Sequence, residues 1–213
     1  MKEKGKFIIF EGVGGSGKST QIGRAKEFLE SKGIPTVTTR EPGGTHAGEH
    51  IRDLIFELKG EGLISGDQQL ILFFASRYIL VKEIGKPNIE SGITILSDRL
   101  HPSTGAYQGY GEGADMERIL KTADVVLKDL KPDAVILFEI SAETALERSR
   151  KEEDNDPFDR TTIDYFQKVV DGYEEMAKTD WGDMRWYVIN GERSVEEVFE
   201  EVKKVLLEIF DQK

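Results

Sequence analysis

Residues 7–19 have the sequence FIIFEGVGGSGKS, a short apolar run followed by a glycine-rich segment that ends in Lys18 and Ser19. Residues 12–19 match the pattern G-x-x-x-x-G-K-[ST], between a predicted buried strand and a predicted helix. Glycines let consecutive backbone N–H groups surround phosphate oxygens, and the following helix directs its positive end toward the same anion. The segment therefore predicts a nucleoside triphosphate site.

Within this segment, the lysine and the serine have different expected roles. Lys18 is expected to reach the β- and γ-phosphates, and the Ser19 hydroxyl is expected to bind Mg²⁺. The backbone amides of the loop are expected to hold the phosphates of the nucleotide. The predicted ATP-binding residues are Gly12, Val13, Gly14, Gly15, Ser16, Gly17, Lys18, Ser19 and Thr20.

Outside this loop, short apolar runs alternate with segments of helix length. Runs rich in β-branched or aromatic residues predict strands at residues 7–10, 36–39, 93–96, 134–140 and 186–189. This alternation predicts an α/β fold with three layers, in which a five-stranded parallel sheet has helices on both faces. With the glycine-rich loop after the first strand, the pattern resembles the P-loop NTPase fold. No repeat or linker divides the sequence, so residues 1–213 are interpreted as a single domain with a mobile insertion.

The composition excludes several classes of protein. The chain has 213 residues, and 29 Lys+Arg against 40 Asp+Glu give a formal net charge of −11. An acidic chain without a basic run is not expected to bind nucleic acid or an anionic membrane. The absence of cysteine excludes disulfides and cysteine-ligated metals. No apolar stretch is long enough to span a membrane, and the run that ends at Glu11 is too short for a signal peptide, so a cytoplasmic protein is expected.

Two clusters of residues predict a phosphorylated acceptor beside the nucleotide. Residues 39–45 follow the second predicted strand and precede Arg52. Ligands of open α/β sheets bind at the carboxyl ends of the strands, so this segment should face the same crevice as the phosphate loop. Asp98 and Arg99 follow the third predicted strand, where Asp98 suits a role in holding Mg²⁺ and Arg99 would face the acceptor. GTPases need an N-K-x-D element, which the sequence lacks.

A third cluster lies within a predicted helix over residues 69–84. Positions 70, 73, 74, 77, 78 and 81 share one apolar helix face, which puts Arg77 where a core residue is expected. A buried guanidinium needs an anion, which could be a ligand or a structural carboxylate. Phe73 lies one turn earlier and could stack on a base or belong to the core.

Together, these segments resemble the thymidylate kinase family over nearly the whole chain. The resemblance rests on the phosphate loop and on residues 40–45, 73–77, 98–99, 106–109 and the arginine-bearing segment after Leu146. It implies a P-loop kinase domain that transfers the γ-phosphate of ATP to dTMP to give dTDP, with Mg²⁺ as cofactor. It also implies a homodimer, with ATP and dTMP as its small-molecule partners.

The resemblance also implies roles for individual residues. Arg52, Arg77 and Arg99 would hold the dTMP phosphate, Phe73 would stack on thymine, and Tyr107 would exclude a ribose 2′-hydroxyl. The residues implied in substrate binding are Glu41, Arg52, Phe73, Arg77, Arg99, Thr104, Tyr107 and Gln108, and those implied in metal binding are Ser19 and Asp98.

The family differs in whether a catalytic arginine lies in the phosphate loop or in a lid. The loop position here is Gly15, so the resemblance implies that a lid at about residues 147–160 provides the arginine, from Arg148 or Arg150. The catalytic residues implied are Lys18, Arg99, Arg148 and Arg150.

The sequence departs from the family pattern at two positions. Gly14 stands where the family usually has Asp or Glu near the sugar 3′-hydroxyl, and Pro157 stands where the lid often has Arg. Arg160 could compensate for the second departure.

Three alternatives remain open. Gly14 keeps open another nucleoside monophosphate kinase or a deoxynucleoside kinase with a wider range of acceptors, and also a nucleotide-binding module without catalysis. Residues 46–50 fit H-x-x-E-H, a zinc protease pattern in which His46 and His50 would face one metal ion.

Overall fold

The computed structural model describes residues 4–128, 130–149 and 162–211. Among these residues, five strands form one parallel sheet in the order β2-β3-β1-β4-β5. The strands are β1 (Phe7–Glu11), β2 (Thr36–Arg40), β3 (Thr94–Asp98), β4 (Ala134–Glu139) and β5 (Trp186–Asn190). The predicted strands and the predicted α/β fold are thus confirmed, with small shifts at the strand ends.

Helices connect consecutive strands, as parallel pairing requires. They are α1 (Lys18–Ser31), α2 (His46–Gly60), α3 (Gly66–Leu80), α4 (Lys86–Glu90), α5 (His101–Thr104), α6 (Met116–Leu127), α7 (Ala142–Ser149), α8 (Ile163–Lys178) and α9 (Val195–Asp211). Two π-helical segments, Val81–Gly85 and Gly105–Gly111, directly follow α3 and α5. The predicted helix over residues 69–84 is therefore α3 followed by a π-helical turn.

The side chains of β1 alternate between the two faces of the sheet. Ile8 and Phe10 belong to an apolar cluster that includes residues of α1 and α9, such as Leu29 and Val202. Phe7 and Ile9 belong to a cluster on the other face, with residues of α3 and α6. Every residue of β1 is buried, because helices cover both faces of the sheet. The predicted three-layer arrangement is confirmed.

The carboxyl ends of β1, β2 and β3 bring the functional segments together. In the sheet register, Asp98 at the end of β3 pairs with Phe10 on one side and with Arg40 on the other. The phosphate loop follows β1 and the segment from Glu41 follows β2, so both flank Asp98. This edge is where an open α/β sheet binds its ligands. No helix among the described residues is long and apolar enough to cross a membrane.

Candidate active site

The phosphate loop joins β1 to α1 and turns around its own lysine. Lys18 is the first residue of α1, and its ammonium donates to the carbonyl oxygens of Gly12 and Val13, both at 2.9 Å, and to Ser16 Oγ at 3.3 Å. At Gly12, φ is 142°, and a Cβ there would lie only 2.7 Å from the Phe138 carbonyl oxygen. A larger residue at this position would therefore disturb both the turn and the packing against β4.

The predicted metal residues lie side by side. Ser19 Oγ donates to Asp98 Oδ2 at 3.1 Å, across the gap between α1 and the end of β3. A hydroxyl and a carboxylate are hard oxygen donors, which suit Mg²⁺. Magnesium sites of phosphoryl-transfer enzymes use one or two protein ligands, with substrate phosphates and water completing the coordination. These two residues therefore fit that ion.

A second pocket lies beside the phosphate loop, at the ends of β2 and β3. It encloses about 50 Å³, and every residue that the resemblance implies in substrate binding lines it. Its lining residues are Glu41, Pro42, Arg52, Phe56, Phe73, Arg77, Arg99, Leu100, Ser103, Thr104, Tyr107 and Gln108. We call this the acceptor pocket. Phe56 and Leu100 were not predicted to line it, because single apolar side chains give no chemical pattern in a sequence.

Arg77 and Glu41 form a buried ion pair in the wall of the acceptor pocket. Arg77 is 1% exposed and Glu41 4%. Arg77 Nε donates to Glu41 Oε2 at 2.5 Å, and Nη2 donates to Thr104 Oγ1 at 3.2 Å. The guanidinium also lies over the Phe74 ring, 4.6 Å from its centroid. The two interpretations of Arg77 in the sequence are thus compatible, because it pairs with a carboxylate and also lines a ligand pocket.

This ion pair has unused hydrogen-bonding capacity. Arg77 Nη1 and Glu41 Oε1 have no hydrogen-bond partner among the described residues. Burial raises the pKa of Glu41 to about 7, although the positive charge of Arg77 opposes the shift. A buried donor without a partner in a pocket wall is suited to bind a polar group of a ligand.

Arg99 connects the acceptor pocket with the phosphate loop. Its Nη1 donates to the Gly12 carbonyl at 3.1 Å and to Ser103 Oγ at 2.9 Å, and its Nη2 donates to Tyr107 Oη at 3.3 Å. The backbone of Arg99 has φ of 70°, an uncommon conformation for a residue with a side chain. One guanidinium therefore touches the walls of both predicted nucleotide sites.

Glu11 and Tyr173 also hold this junction, and the sequence interpretation missed both. Glu11 is fully buried, and it accepts hydrogen bonds from Leu100 N at 2.8 Å, Ser103 Oγ at 2.6 Å and Tyr173 Oη at 2.9 Å. Burial raises the pKa of Glu11, and the positive charge of Arg99 opposes the shift. Tyr173 Oη also accepts from Arg99 Nη1 at 3.3 Å. In the sequence, the only indication of this polar network was the position of Glu11, an acidic residue at the end of the first apolar run and directly before the glycines.

Tyr107 and Gln108 lie in the π-helical segment after α5. Tyr107 Oη accepts a hydrogen bond from Gly14 N at 3.2 Å, so it contacts the loop at the position where the family usually has an acid. Gln108 Nε2 donates to Gln69 Oε1 at 3.2 Å and is 2% exposed. Both side chains are therefore fixed before any ligand binds.

The lid prediction lies mostly outside the described residues, which include Arg148 but not Arg150, Pro157 or Arg160. Arg148 Nη1 donates to the carbonyl oxygens of Gly15 at 3.3 Å and Gly191 at 3.2 Å. A Cβ at Gly15, where φ is 72°, would lie 2.7 Å from the Arg148 Cβ. The glycine in the loop therefore lets the last turn of α7 approach the phosphate loop.

The zinc interpretation of residues 46–50 finds no support. His46 and His50 contact each other on α2, with ring centroids 4.8 Å apart. Glu49 accepts from Arg40 Nη2 and from Gly44 N, both at 2.8 Å. In the described ranges, no group of three or more His, Asp or Glu side chains could hold a metal ion.

Comparison with known proteins identifies the family. The thymidylate kinase family model matches residues 10–202. A thymidylate kinase of Caldicellulosiruptor saccharolyticus is 40% identical over 205 residues, which cover 95% of this chain and 96% of the relative. A thymidylate kinase of Kosmotoga olearia is 37% identical and covers 94% and 95% of the two chains. The crystal structure of the Ehrlichia chaffeensis thymidylate kinase superposes with a TM-score of 0.77 and 31% identity, covering 95% of this chain and 99% of that one. The chain therefore belongs to the thymidylate kinase family and has its P-loop NTPase fold.

Proposed function

We propose that this protein transfers the γ-phosphate of ATP to dTMP, giving dTDP and ADP, with Mg²⁺ as cofactor. One observation carries the proposal. Arg99 donates to the Gly12 carbonyl of the phosphate loop and also lines the acceptor pocket. Two nucleotides on either side of this guanidinium would have their phosphates next to each other, which in-line phosphoryl transfer requires.

Within the acceptor pocket, we propose that the arginines have different roles. Arg99 lies at the phosphate loop, and Arg52 also lines the pocket, with its guanidinium 4.1 Å from the centroid of the Phe56 ring. Planar guanidinium groups suit the phosphate of dTMP. Arg77 is bonded to Thr104 and has a buried Nη1 without a partner among the described atoms. It therefore suits a thymine carbonyl better than the phosphate to which the family resemblance assigned it.

The remaining pocket residues fit the base and the sugar. Phe73 offers a flat apolar face for stacking on thymine, and Thr104 and Gln108 offer polar atoms for its edge. Tyr107 is only 5% exposed and is held by the Gly14 amide, so it forms a rigid wall that a ribose 2′-hydroxyl would approach. Glu41 acts as the counter-charge that keeps Arg77 in place.

For the phosphoryl-transfer step, the protein must position the phosphates and supply positive charge. We propose that Ser19 and Asp98 hold Mg²⁺, which neutralises charge on the phosphates of ATP when it is bound. Lys18, Arg99 and Arg148 contribute further positive charge around the group being transferred, with Arg150 as a second candidate in the lid. Because the acceptor phosphate has a second pKa of about 6, it is mostly a dianion at neutral pH and needs no general base.

We also propose a cytoplasmic homodimer of single-domain subunits. The described surface of α2 and α3 exposes Leu54, Ile71 and Tyr78, which are large hydrophobic side chains that a second subunit could cover. Sedimentation or light scattering of the full chain tests this directly. A monomer at micromolar concentration would contradict it.

One assay tests the proposed activity against its alternatives. ADP production is measured with dTMP, dUMP, ribothymidine monophosphate and no acceptor, each with and without Mg²⁺. We expect the highest kcat/KM with dTMP and no turnover without Mg²⁺. Similar kcat/KM values for several monophosphates would favour a kinase with relaxed acceptor specificity. ATP binding without ADP production for any acceptor would favour a non-catalytic nucleotide-binding module.

A further inference from the structure

A cavity separate from both nucleotide sites lies behind α5. It has a volume of about 210 Å³ and is lined by His101, by the second half of α6, by Lys128, Lys131 and Pro132, and by the loop before β5. It shares no lining residue with the acceptor pocket. An apolar cavity of about 150 Å³ already holds benzene, so this cavity is large enough for a substituted ring.

The inner wall of this cavity carries a buried histidine that the proposed reaction does not use. His101 is 3% exposed, lies against the Trp181 ring at 5.6 Å between centroids, and has no hydrogen-bond partner for Nδ1 among the described residues. A Cβ at Gly182, another lining residue, would be 3.5 Å from His101 Nε2, so the glycine leaves that side of the ring less covered. Burial lowers the pKa of His101 to about 3, and the positive charge of Arg77 acts in the same direction. At neutral pH the imidazole is therefore uncharged, with one nitrogen that donates and one that accepts.

The backbone around the cavity is unusual. Among the described residues other than glycine, positive φ occurs at Arg99, Lys128, Asp180 and Asp183. Arg99 belongs to the proposed active site, whereas Lys128 and Asp183 line the cavity and Asp180 lies in the same loop as Asp183. Positive φ is uncommon for residues with a side chain, although less so for Asp, and strained positions are concentrated at functional sites.

The lining indicates the chemistry of a ligand. Leu120, Ala123, Leu127 and Met184 form apolar walls suited to a ring. Among the described lining residues, two exposed side chains are acidic (Asp124 and Asp183) and two are basic (Lys128 and Lys131), so these residues do not select one sign of charge. A charged group buried against the neutral imidazole would lose hydration without gaining a counter-charge.

We propose that this cavity is a second ligand site, which binds an uncharged planar ring compound with an amide-like edge, a class that includes nucleobases. The amide-like edge bonds to His101, and the ring lies between the apolar walls. His101 is the first residue of α5, and Thr104, the last residue of that helix, bonds to Arg77 in the acceptor pocket. Leu100 and Ser103 line the acceptor pocket from the same segment. Occupation of the cavity therefore changes the affinity of the acceptor pocket.

Three probes of the same shape and different charge test the proposed chemistry. Benzamide is uncharged, benzoate is an anion and benzamidine is a cation. With dTMP present at saturation to fill the acceptor pocket, the full chain should bind benzamide with Kd of about 1 mM, and the two charged probes about tenfold more weakly. In protein labelled with ¹³C at the methionine methyl groups, benzamide should shift the NMR signal of Met184, which lines the cavity. The signal of Met176, which is buried in another core cluster, should not change. This measurement needs no substitution.

Two variants on α6 test whether benzamide binds in this cavity. Leu120→Trp fills the cavity and should abolish the Met184 shift and benzamide binding. Val125→Trp places the same ring on the same helix at a residue that is 68% exposed and outside the cavity, and binding should persist. In the wild type, saturating benzamide should change the KM for dTMP by about fivefold, and this effect should disappear in Leu120→Trp.

Different results would contradict different parts of the proposal: the site, the ligand class or the connection to the acceptor pocket. If benzamide causes no saturable Met184 shift, or binds Leu120→Trp as well as the wild type, the proposed site is wrong. If benzoate or benzamidine binds more tightly than benzamide, the proposed ligand class is wrong. If binding is lost in Leu120→Trp while benzamide leaves the wild-type KM unchanged, the proposed connection through α5 is wrong. The Met184 shift in protein without nucleotide does not depend on the identity of the best phosphate acceptor, whereas the KM measurement rests on dTMP being an acceptor, as proposed above.

Discussion

Arg77 Nε donates to Glu41 Oε2 at 2.5 Å inside the wall of the acceptor pocket, and both side chains are almost completely buried. Glu41 begins the segment after β2 and Arg77 lies on α3, so the ion pair joins two elements that are distant in the sequence. Breaking such a pair by removing one partner is usually more harmful than replacing both, because the remaining group is left buried and uncompensated.

The first prediction concerns the pH dependence of stability. Burial raises the pKa of Glu41 from 4.5 in the unfolded chain to about 7 in the folded protein. The folded state then binds more protons at this carboxyl between these pH values, so its contribution should decrease stability as pH rises from about 4.5 to about 7. Urea unfolding of the wild type and Glu41→Gln at pH 5 and pH 8 measures the difference. We expect the wild type to lose about 1–3 kcal/mol more than the variant over this interval. Parallel pH profiles for the two proteins would show that Glu41 has an ordinary pKa.

The second prediction separates the structural role of Arg77 from its role in binding. Arg77→Met should raise the KM for dTMP by about 100-fold, because a charge-assisted hydrogen bond to the acceptor is lost, and should also lower stability. The double variant Glu41→Leu/Arg77→Met removes both charges and should recover most of the lost stability. Its KM should remain high. Recovery of KM together with stability, measured by steady-state kinetics and urea unfolding, would mean that Arg77 is only structural.

The third prediction concerns the catalytic arginine. Arg148→Ala should lower kcat by about 10²–10³-fold and leave the KM for dTMP little changed, because the positive charge is needed in the transition state. Arg118→Ala is the matched control, since Arg118 is 52% exposed and pairs with Asp67 on the surface. Steady-state kinetics of both variants provide the comparison. An increase in KM at unchanged kcat would assign Arg148 to ground-state binding instead.

The fourth prediction concerns discrimination between deoxyribose and ribose. Tyr107→Ala should reduce the preference for dTMP over ribothymidine monophosphate about tenfold or more, because the wall next to the 2′ position is removed. Tyr107→Phe keeps the ring and loses only the hydroxyl that bonds to Gly14 N and Arg99. It should keep most of the selectivity. Equal selectivity in Tyr107→Ala and the wild type, from paired kcat/KM values, would remove this role from Tyr107.

The fifth prediction concerns the glycine at the usual acidic position. Gly14 is not among the residues with positive φ, so a side chain is compatible with its backbone conformation. Gly14→Asp should raise kcat/KM for dTMP about fivefold, since its carboxylate would add a charge-assisted hydrogen bond near the sugar. Gly14→Asn has the same size without the charge and serves as control. A lower kcat/KM in Gly14→Asp than in Gly14→Asn would indicate a different acceptor geometry.

Local patterns in the sequence were sufficient for the sheet and the phosphate loop. Buried parallel strands give short apolar runs, and the glycine spacing before Lys18 has a geometric cause, so both can be identified without tertiary information. The residues of the acceptor pocket were found through family resemblance and through the misplaced charge of Arg77. The structure brings them together around one pocket, while their individual roles stay predictions.

The polar network behind the active site could not be predicted from the sequence. Tyr173 lies on α8 and meets Glu11 of β1 only because α8 packs against β4 and β5. Its spacing in the sequence resembles that of a core aromatic residue. Glu11 was taken as the end of an apolar run, although β1 includes it as a fully buried residue. The cavity behind α5 was also not predictable, since its walls come from segments with no shared pattern.

The close approach of Arg148 to Gly15 limits which residues the phosphate loop can carry at position 15. An arginine introduced at position 15 would need both a left-handed backbone and the space that the Arg148 Cβ already occupies. A Gly15→Arg substitution in this chain would therefore produce a steric conflict with α7. An arginine on the loop at this position would require the last turn of α7 to lie farther from the phosphate loop than it does here.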